Sequence, residues 1–120
     1  MSLAIAQELL GIPFREGGRD FRPLHGGTDC LGIVLEFRRR LGLRADDPWG
    51  AIHWRGDARE HWPSWLRPVS GPIENGDVAI TVDGAHILVY AGSGYILEAV
   101  RDAGSRLRRC VPTTDQRWWR

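Results

Sequence analysis

A cysteine beside a predicted helix start is the residue of this sequence best placed for nucleophilic chemistry. Asp29 is a favourable N-cap residue, and Cys30 follows it directly. A thiol at the first position of a helix feels the positive end of the helix dipole and the unpaired backbone N–H groups there. We therefore expect a lowered pKa for the Cys30 thiol and a thiolate that can attack a carbonyl group.

A nucleophile of this kind requires a base, for which the chain offers His25, His53, His61 and His86. His86 is the preferred candidate because it lies in an apolar run, 85–90, where a polar side chain needs a partner. Glu98 interrupts the next apolar run, 95–100, and a carboxylate on a neighbouring strand can orient an imidazole. Taken singly, each residue has a more common explanation: a core cysteine, a hydrogen-bonded strand histidine and a solvent-facing glutamate.

Helices in the first half and strands in the second half are predicted to position these residues. Apolar side chains have helical spacing in residues 2–10 and again between Asp29 and Gly42. Residues 11–27 predict a loop, and residues 45–72 predict short turns packed by tryptophans. Short β-rich runs follow at 77–82, 86–91, 95–100 and 106–111. This order predicts an α+β fold in which an antiparallel meander packs on the helix of Cys30.

Three segments occur in an order that resembles the NlpC family of papain-like cell-wall peptidases. They are GGTDCLG at 26–32, GDVAI at 76–80 and AHILVY at 85–90. The segment LGIPF at 10–14, with two glycines at 17–18, is similar to the loop that precedes the family's nucleophile, so the resemblance covers nearly the whole chain. The resemblance implies a papain-like NlpC-type fold with Cys30 as nucleophile, His86 as base and Glu98 as the residue that orients His86.

Departures from the family pattern concern residues around the nucleophile. Leu31 replaces a small serine, which is a packing change. Phe14 stands where the family commonly has a tyrosine, so a hydroxyl donor to the oxyanion pocket is missing. Glu98 replaces a His, Asn or Gln, and its charge would favour imidazolium more strongly than a neutral partner does. We expect Asp29 and Phe14 to contribute to substrate binding.

The resemblance implies a cysteine endopeptidase that acts on peptidoglycan stem peptides, at the bond between D-glutamate and the diamino acid. Small family members also belong to phage and prophage tails, so phage tail proteins are expected partners and the periplasmic cell wall is an expected place of action. Two alternatives stay open. One is a catalytically inactive tail-assembly module with the same fold, and the other is an amidase or acyltransferase on a different amide.

Composition narrows the remaining function classes. The chain has 120 residues, 42% of them hydrophobic and 26% charged, which predicts a single domain over residues 1–120. A net charge of +1 gives no reason to expect nucleic acid, and no apolar run predicts membrane insertion. The two cysteines have no metal-binding spacing, so we expect neither a metal nor another cofactor. The N-terminus has no export-signal pattern, which predicts synthesis in the cytoplasm.

Strand alternation makes a geometric prediction about the base and its partner. His86 and Glu98 can meet only if their pairing offset is even, because successive side chains of a strand face opposite sides of the sheet. A three-residue turn at 91–93, or a β-bulge with the same effect, would satisfy this condition by setting His86 opposite Glu98. We therefore expect a hydrogen bond between the Glu98 carboxylate and one nitrogen of His86.

Overall fold

A computed structural model describes residues 2–47, 65–81, 86–110 and 116–120 of the chain. The candidate bases His53 and His61 lie outside these residues, as do Trp49, Trp54 and Trp62. None of the helices within the described ranges is long and apolar enough to cross a membrane.

Two helices form the first half of the described chain. Helix α1 spans Ser2–Glu8 and helix α2 spans Cys30–Arg40. The side chain of Asp29 accepts a hydrogen bond from the backbone N–H of Gly32, which satisfies one of the free donors at the start of α2. Gly42 has a φ of 79° just beyond the end of α2, a conformation that glycine adopts without strain. Both predicted limits of the cysteine helix are confirmed.

Five antiparallel strands form the main sheet in the order β6-β5-β4-β3-β7. The strands are β3 (Val78–Thr81), β4 (Ile87–Gly92), β5 (Tyr95–Val100), β6 (Gly104–Arg109) and β7 (Gln116–Trp119). The predicted α+β class and the four-stranded meander are confirmed. Strand β7 was not predicted, because its polar and aromatic residues have no alternating pattern, and its pairing with β3 brings together segments that are far apart in sequence.

The core lies between the helices and one face of this sheet. Helix α2 contacts β4 and β5, and α1 contacts β4. Leu97 and Ala99 of β5 belong to this core, whereas Ile96 belongs to a second cluster. Since alternate side chains of a strand share a face, Glu98 lies with Ile96 on the face opposite α2.

The segment before α2 is mostly loop, as predicted, but it contains a short two-stranded ladder. Strand β1 (Arg19–Asp20) pairs with β2 (Gly27–Thr28), and Phe14 forms a parallel bridge with Thr28. The expectation of a loop without strands over residues 11–27 is therefore wrong in this detail. The bridge joins the predicted substrate-binding residue Phe14 to the chain that leads into Cys30.

Of the four tryptophans in the tryptophan-rich segment 45–72, Trp65 is the one among the described residues. Its ring packs against the core. The guanidinium carbons of Arg38 and Arg44 lie 5.2 and 5.4 Å from the ring centroid. Both distances allow cation–π contact, so the predicted packing role is confirmed for this tryptophan.

The turn between β4 and β5 differs from the predicted one. Its two central residues, Ser93 and Gly94, have φ values of 54° and 80°. Positive φ at both positions is what a two-residue type I′ hairpin requires. Of the two predicted alternatives, the three-residue turn is wrong, because it requires Tyr90 opposite Gly94 and Tyr90 lies opposite Ile96. The β-bulge is the alternative that the structure confirms.

A β-bulge at Ala91 restores the parity that this two-residue turn would have reversed. The pairing shifts by one residue here, since the bulge adds a residue to β4 and none to β5. His86 and Glu98 therefore lie on one face of the sheet, as the sequence required. Direct pairing is wrong: the register that sets Val89 opposite Leu97 leaves the two residues diagonal to each other.

The glycine that begins β6 generates a stability prediction. Gly104 has a φ of 68°, and a Cβ atom there would lie 2.3 Å from the carbonyl oxygen of Ile12. Gly94 has a φ of 80° and open space around it. Gly94→Ala should lower the free energy of unfolding by about 1 kcal/mol, the cost of positive φ alone. Gly104→Ala should cost roughly 1–3 kcal/mol more, because backbone must move. Urea unfolding would measure both, and equal losses would contradict the overlap.

Candidate active site

A cleft of about 180 Å³ brings together the residues that the sequence indicates. Its lining contains the predicted nucleophile Cys30, the predicted base His86 and both predicted substrate-binding residues, Asp29 and Phe14. The four other lining residues are Glu16, Ala99, Val100 and Arg101. Glu98 is not part of this lining but contacts His86, which is. His25, the spare candidate base, is exposed in a turn and does not line the cleft.

Cys30 is the first residue of α2 and is buried. Burial raises the pKa of its thiol to about 12, and the negative charge of Asp29 adds to the increase. Backbone N–H groups of Ile87, Leu31 and Cys30 itself favour the thiolate but do not reverse the shift. The expected lowering of this pKa is therefore wrong for the resting cleft, because desolvation outweighs the helix N-terminus.

His86 lies immediately before β4 and reaches toward Glu98 on β5. Its Nε2 atom is 2.9 Å from Oε1 of Glu98, which confirms the predicted hydrogen bond. The His86 side chain is 26% exposed, whereas that of Glu98 is 2% exposed. Because Nε2 is occupied by the carboxylate, Nδ1 is the nitrogen left to exchange a proton with the thiol or with a substrate.

Two arginines of β6 hold the other side of the Glu98 carboxylate. Arg106 Nε donates to Oε2 at 2.9 Å, and Arg108 Nε donates to the same oxygen at 3.0 Å. Neither arginine was predicted from the sequence. The available signal was their spacing of two residues, which places them on one face of the strand that follows β5.

These contacts keep Glu98 ionised. Burial alone would raise its pKa, but hydrogen bonds from His86, Arg108 and Arg106, together with the charge of Arg108, lower it to about 2. The carboxylate is thus a fixed negative acceptor for His86 at any pH above about 3. The guanidinium groups of Arg106 and Arg108 also offset part of the negative charge of Glu98. A neutral residue in place of Glu98 would not require this compensation.

Asp29 is buried and fastens the chain around the nucleophile. Its Oδ1 atom accepts from the backbone N–H of Gly32 at 2.7 Å and from Nη1 of Arg19 at 2.8 Å. Its Oδ2 atom accepts from the backbone N–H of Gly17 at 3.0 Å. These bonds orient Cys30 by joining the start of α2 to the preceding loop. Substrate binding by Asp29 stays a prediction.

Comparison with solved structures shows the fold. The chain aligns over 99% of its length with the peptidoglycan hydrolase RipB of Mycobacterium tuberculosis, at 19% identity and a TM-score of 0.61, and covers 62% of that chain. For NlpC2 of Trichomonas vaginalis the values are 99% coverage, 16% identity, a TM-score of 0.62 and 46% of that chain. The chain has the NlpC/P60 fold.

A third similar structure is a hypothetical invasion protein of Mycobacterium tuberculosis. It is 22% identical over 99% of this chain, with a TM-score of 0.60, and 59% of its own length is covered. The chain thus spans between about half and three fifths of the length of these three proteins. The sequence matches no protein-family model and no curated protein sequence.

The ionised state of Glu98 generates a prediction for stability against pH. A lowered carboxylate pKa contributes stability that is complete above the ordinary value of 4.5 and is lost as the pH falls toward 2. Between pH 5 and 2 the protein should therefore lose on the order of 2 kcal/mol that Glu98→Gln does not lose. Chemical unfolding across this pH range would measure the difference. Glu8→Gln, at an exposed carboxylate, should follow the parent, and parallel curves for Glu98→Gln would contradict the ionised pair.

The raised thiol pKa generates a second prediction, for alkylation of Cys30. Because the buried thiol does not ionise alone near neutral pH, its reaction with iodoacetamide should require proton transfer to His86. In a Cys110→Ala background, His86→Ala should slow alkylation at pH 7 by at least about tenfold. His25→Ala is the matched control and should react at the parent rate. An unchanged rate in His86→Ala would show that another group takes the thiol proton.

Proposed function

We propose that this protein is a cysteine peptidase that hydrolyses a peptide bond in bacterial peptidoglycan stems. The observation that carries the proposal is the cleft itself, in which a buried thiol and a histidine are both present and the histidine is bonded to an ionised carboxylate. Nucleophile, base and orienting group are the three parts that acyl transfer through a thioester requires.

The reaction begins with a neutral thiol, since its pKa is about 12 in the resting cleft. The proton of Cys30 passes to Nδ1 of His86 as the sulfur bonds to the carbonyl carbon of the substrate. Glu98 stabilises the imidazolium formed at that moment. The backbone N–H of Cys30, at the start of α2, is the proposed donor to the oxyanion, because Phe14 offers no hydroxyl.

Collapse of the tetrahedral intermediate breaks the C–N bond, and the imidazolium gives its proton to the leaving amine. A thioester between Cys30 and the acyl part of the substrate remains. His86 then accepts a proton from water as the water oxygen attacks the thioester carbonyl. The second collapse releases the carboxylic acid, and the proton returns to the sulfur, so the free enzyme is restored.

The proposed substrate class is supported by the sequence resemblance and by the similarity of the fold to solved structures. RipB, whose structure resembles this one, is a peptidoglycan hydrolase. We extend the proposal to the bond between D-glutamate and the diamino acid, and to a place in a phage tail, on the resemblance alone. The masses of the released peptides would identify the bond.

A catalytically silent module with this fold is the second candidate. The absence of a hydroxyl at Phe14 favours it, because the oxyanion pocket then has one donor fewer. Hydrolysis of another amide by the same three residues is the third candidate. The silent module would release no product from any compound. An enzyme for another amide would release products from that amide and none from peptidoglycan stems.

Incubation with purified muropeptides, followed by mass spectrometry, tests the proposed activity. The parent protein should release a product with a new amine and a new carboxylate, and Cys30→Ala should lower the rate by at least about 10³-fold by removing the nucleophile. Cys110→Ala should retain the parent rate, because Cys110 does not line the cleft. Equal turnover by the parent and Cys30→Ala would remove the thiol from the mechanism, and no product from the parent would favour the silent module.

A further inference from the structure

An ion pair joins the two walls of the cleft and has no role in the proposed proton transfers. Arg101 follows β5, and its Nη2 atom donates a hydrogen bond to Oε1 of Glu16. Glu16 lies in the loop before Cys30. The two residues are 85 positions apart in sequence. The guanidinium carbon of Arg101 also lies 5.0 Å from the centroid of the Phe14 ring.

Arg101 is well placed to meet a substrate. Its side chain is 66% exposed, whereas that of Glu16 is 21% exposed. Among the described residues that line the cleft, Arg101 has the one permanent positive charge. The guanidinium group lies within cation–π distance of the Phe14 ring, and a guanidinium group can bind a carboxylate through two parallel hydrogen bonds.

The carboxylate of Glu16 occupies the position that such a ligand would take. An ion pair with an exposed arginine is weak, because water screens the attraction and the arginine side chain loses freedom in forming it. A carboxylate on a bound peptide can therefore replace Glu16 at Arg101 at little cost. The other acidic group of the lining, Asp29, has its own hydrogen-bond partners and does not compete.

We propose that Arg101 recognises a carboxylate of the peptide substrate and that Glu16 holds Arg101 in place when the cleft is empty. The inference rests on the proposed function and deepens it, since it assigns a charge preference to the cleft. It commits to an anionic peptide whose carboxylate lies close to the bond that is cleaved. Arg101 is thus a specificity residue, and Phe14 contributes by orienting it.

Calorimetric titration of the Cys30→Ala protein would test the proposal without relying on turnover. The probes are the tripeptide L-Ala-γ-D-Glu-diaminopimelate and its counterpart in which the α-carboxylate of D-glutamate is an amide. The carboxylate peptide should bind about 10-fold more tightly than the amide. Adding Arg101→Gln should abolish this preference. Adding Glu16→Gln should strengthen binding of the carboxylate peptide, because its competitor has been removed.

Arg109→Gln is the matched control. Arg109 is an exposed arginine of β6 that does not line the cleft, so its loss should leave the preference for the carboxylate peptide intact. Loss of the preference in Arg109→Gln as well would indicate a general effect of net charge and would overturn the assignment.

Other outcomes separate this inference from the proposed function. Equal affinity for the two peptides, or no measurable affinity for either, overturns the inference even if muropeptides are hydrolysed. A preference that persists in Arg101→Gln also overturns it. A preference that depends on Arg101 in a protein that hydrolyses nothing supports the recognition site and rejects the peptidase.

Discussion

The buried carboxylate of Glu98 is the constraint on which the cleft depends. A carboxylate with 2% of its side chain exposed is stable as an anion only with strong partners. Here His86, Arg106 and Arg108 supply hydrogen bonds of 2.9–3.0 Å. Their geometry explains why β4, β5 and β6 must keep one register relative to one another. A slip of one residue would move Glu98 to the other face and leave the histidine without its acceptor.

Cys30, the proposed nucleophile, lies in an environment whose contacts have opposite effects on the pKa of its thiol. The start of α2 offers backbone N–H groups to the sulfur of Cys30, but burial and the adjacent charge of Asp29 raise the thiol pKa to about 12. Asp29 is nevertheless required there, because its carboxylate caps α2 and joins it to the preceding loop. The same carboxylate that builds the nucleophile's position therefore disfavours its resting thiolate. In the proposed reaction, proton transfer to His86, whose Nε2 is hydrogen-bonded to ionised Glu98, resolves this conflict at the moment of attack.

In the proposed function, catalytic positioning and substrate recognition belong to different parts of the fold. Cys30 and Glu98 lie on a helix and a strand, whose backbone hydrogen bonds hold them rigidly, and His86 adjoins a strand. Glu16 and Arg101 lie in a loop and a turn, which meet across the cleft. Connecting segments tolerate change better than the elements they join, so charge preference can vary while the reaction geometry is kept.

The amino-acid sequence by itself determined the helix of Cys30, the limits of β5 and the hydrogen bond between His86 and Glu98. Each follows from short-range rules: an N-cap and a C-terminal glycine, apolar runs, and the parity of side chains along a strand. Only the tertiary structure decided that a bulge at Ala91, and not a three-residue turn, keeps this parity. It alone also decided the pairing of β7, the arginines that hold Glu98 and the raised pKa of Cys30. These depend on contacts between distant segments and on burial, and neither local spacing nor residue type specifies how much water a folded chain removes from a thiol.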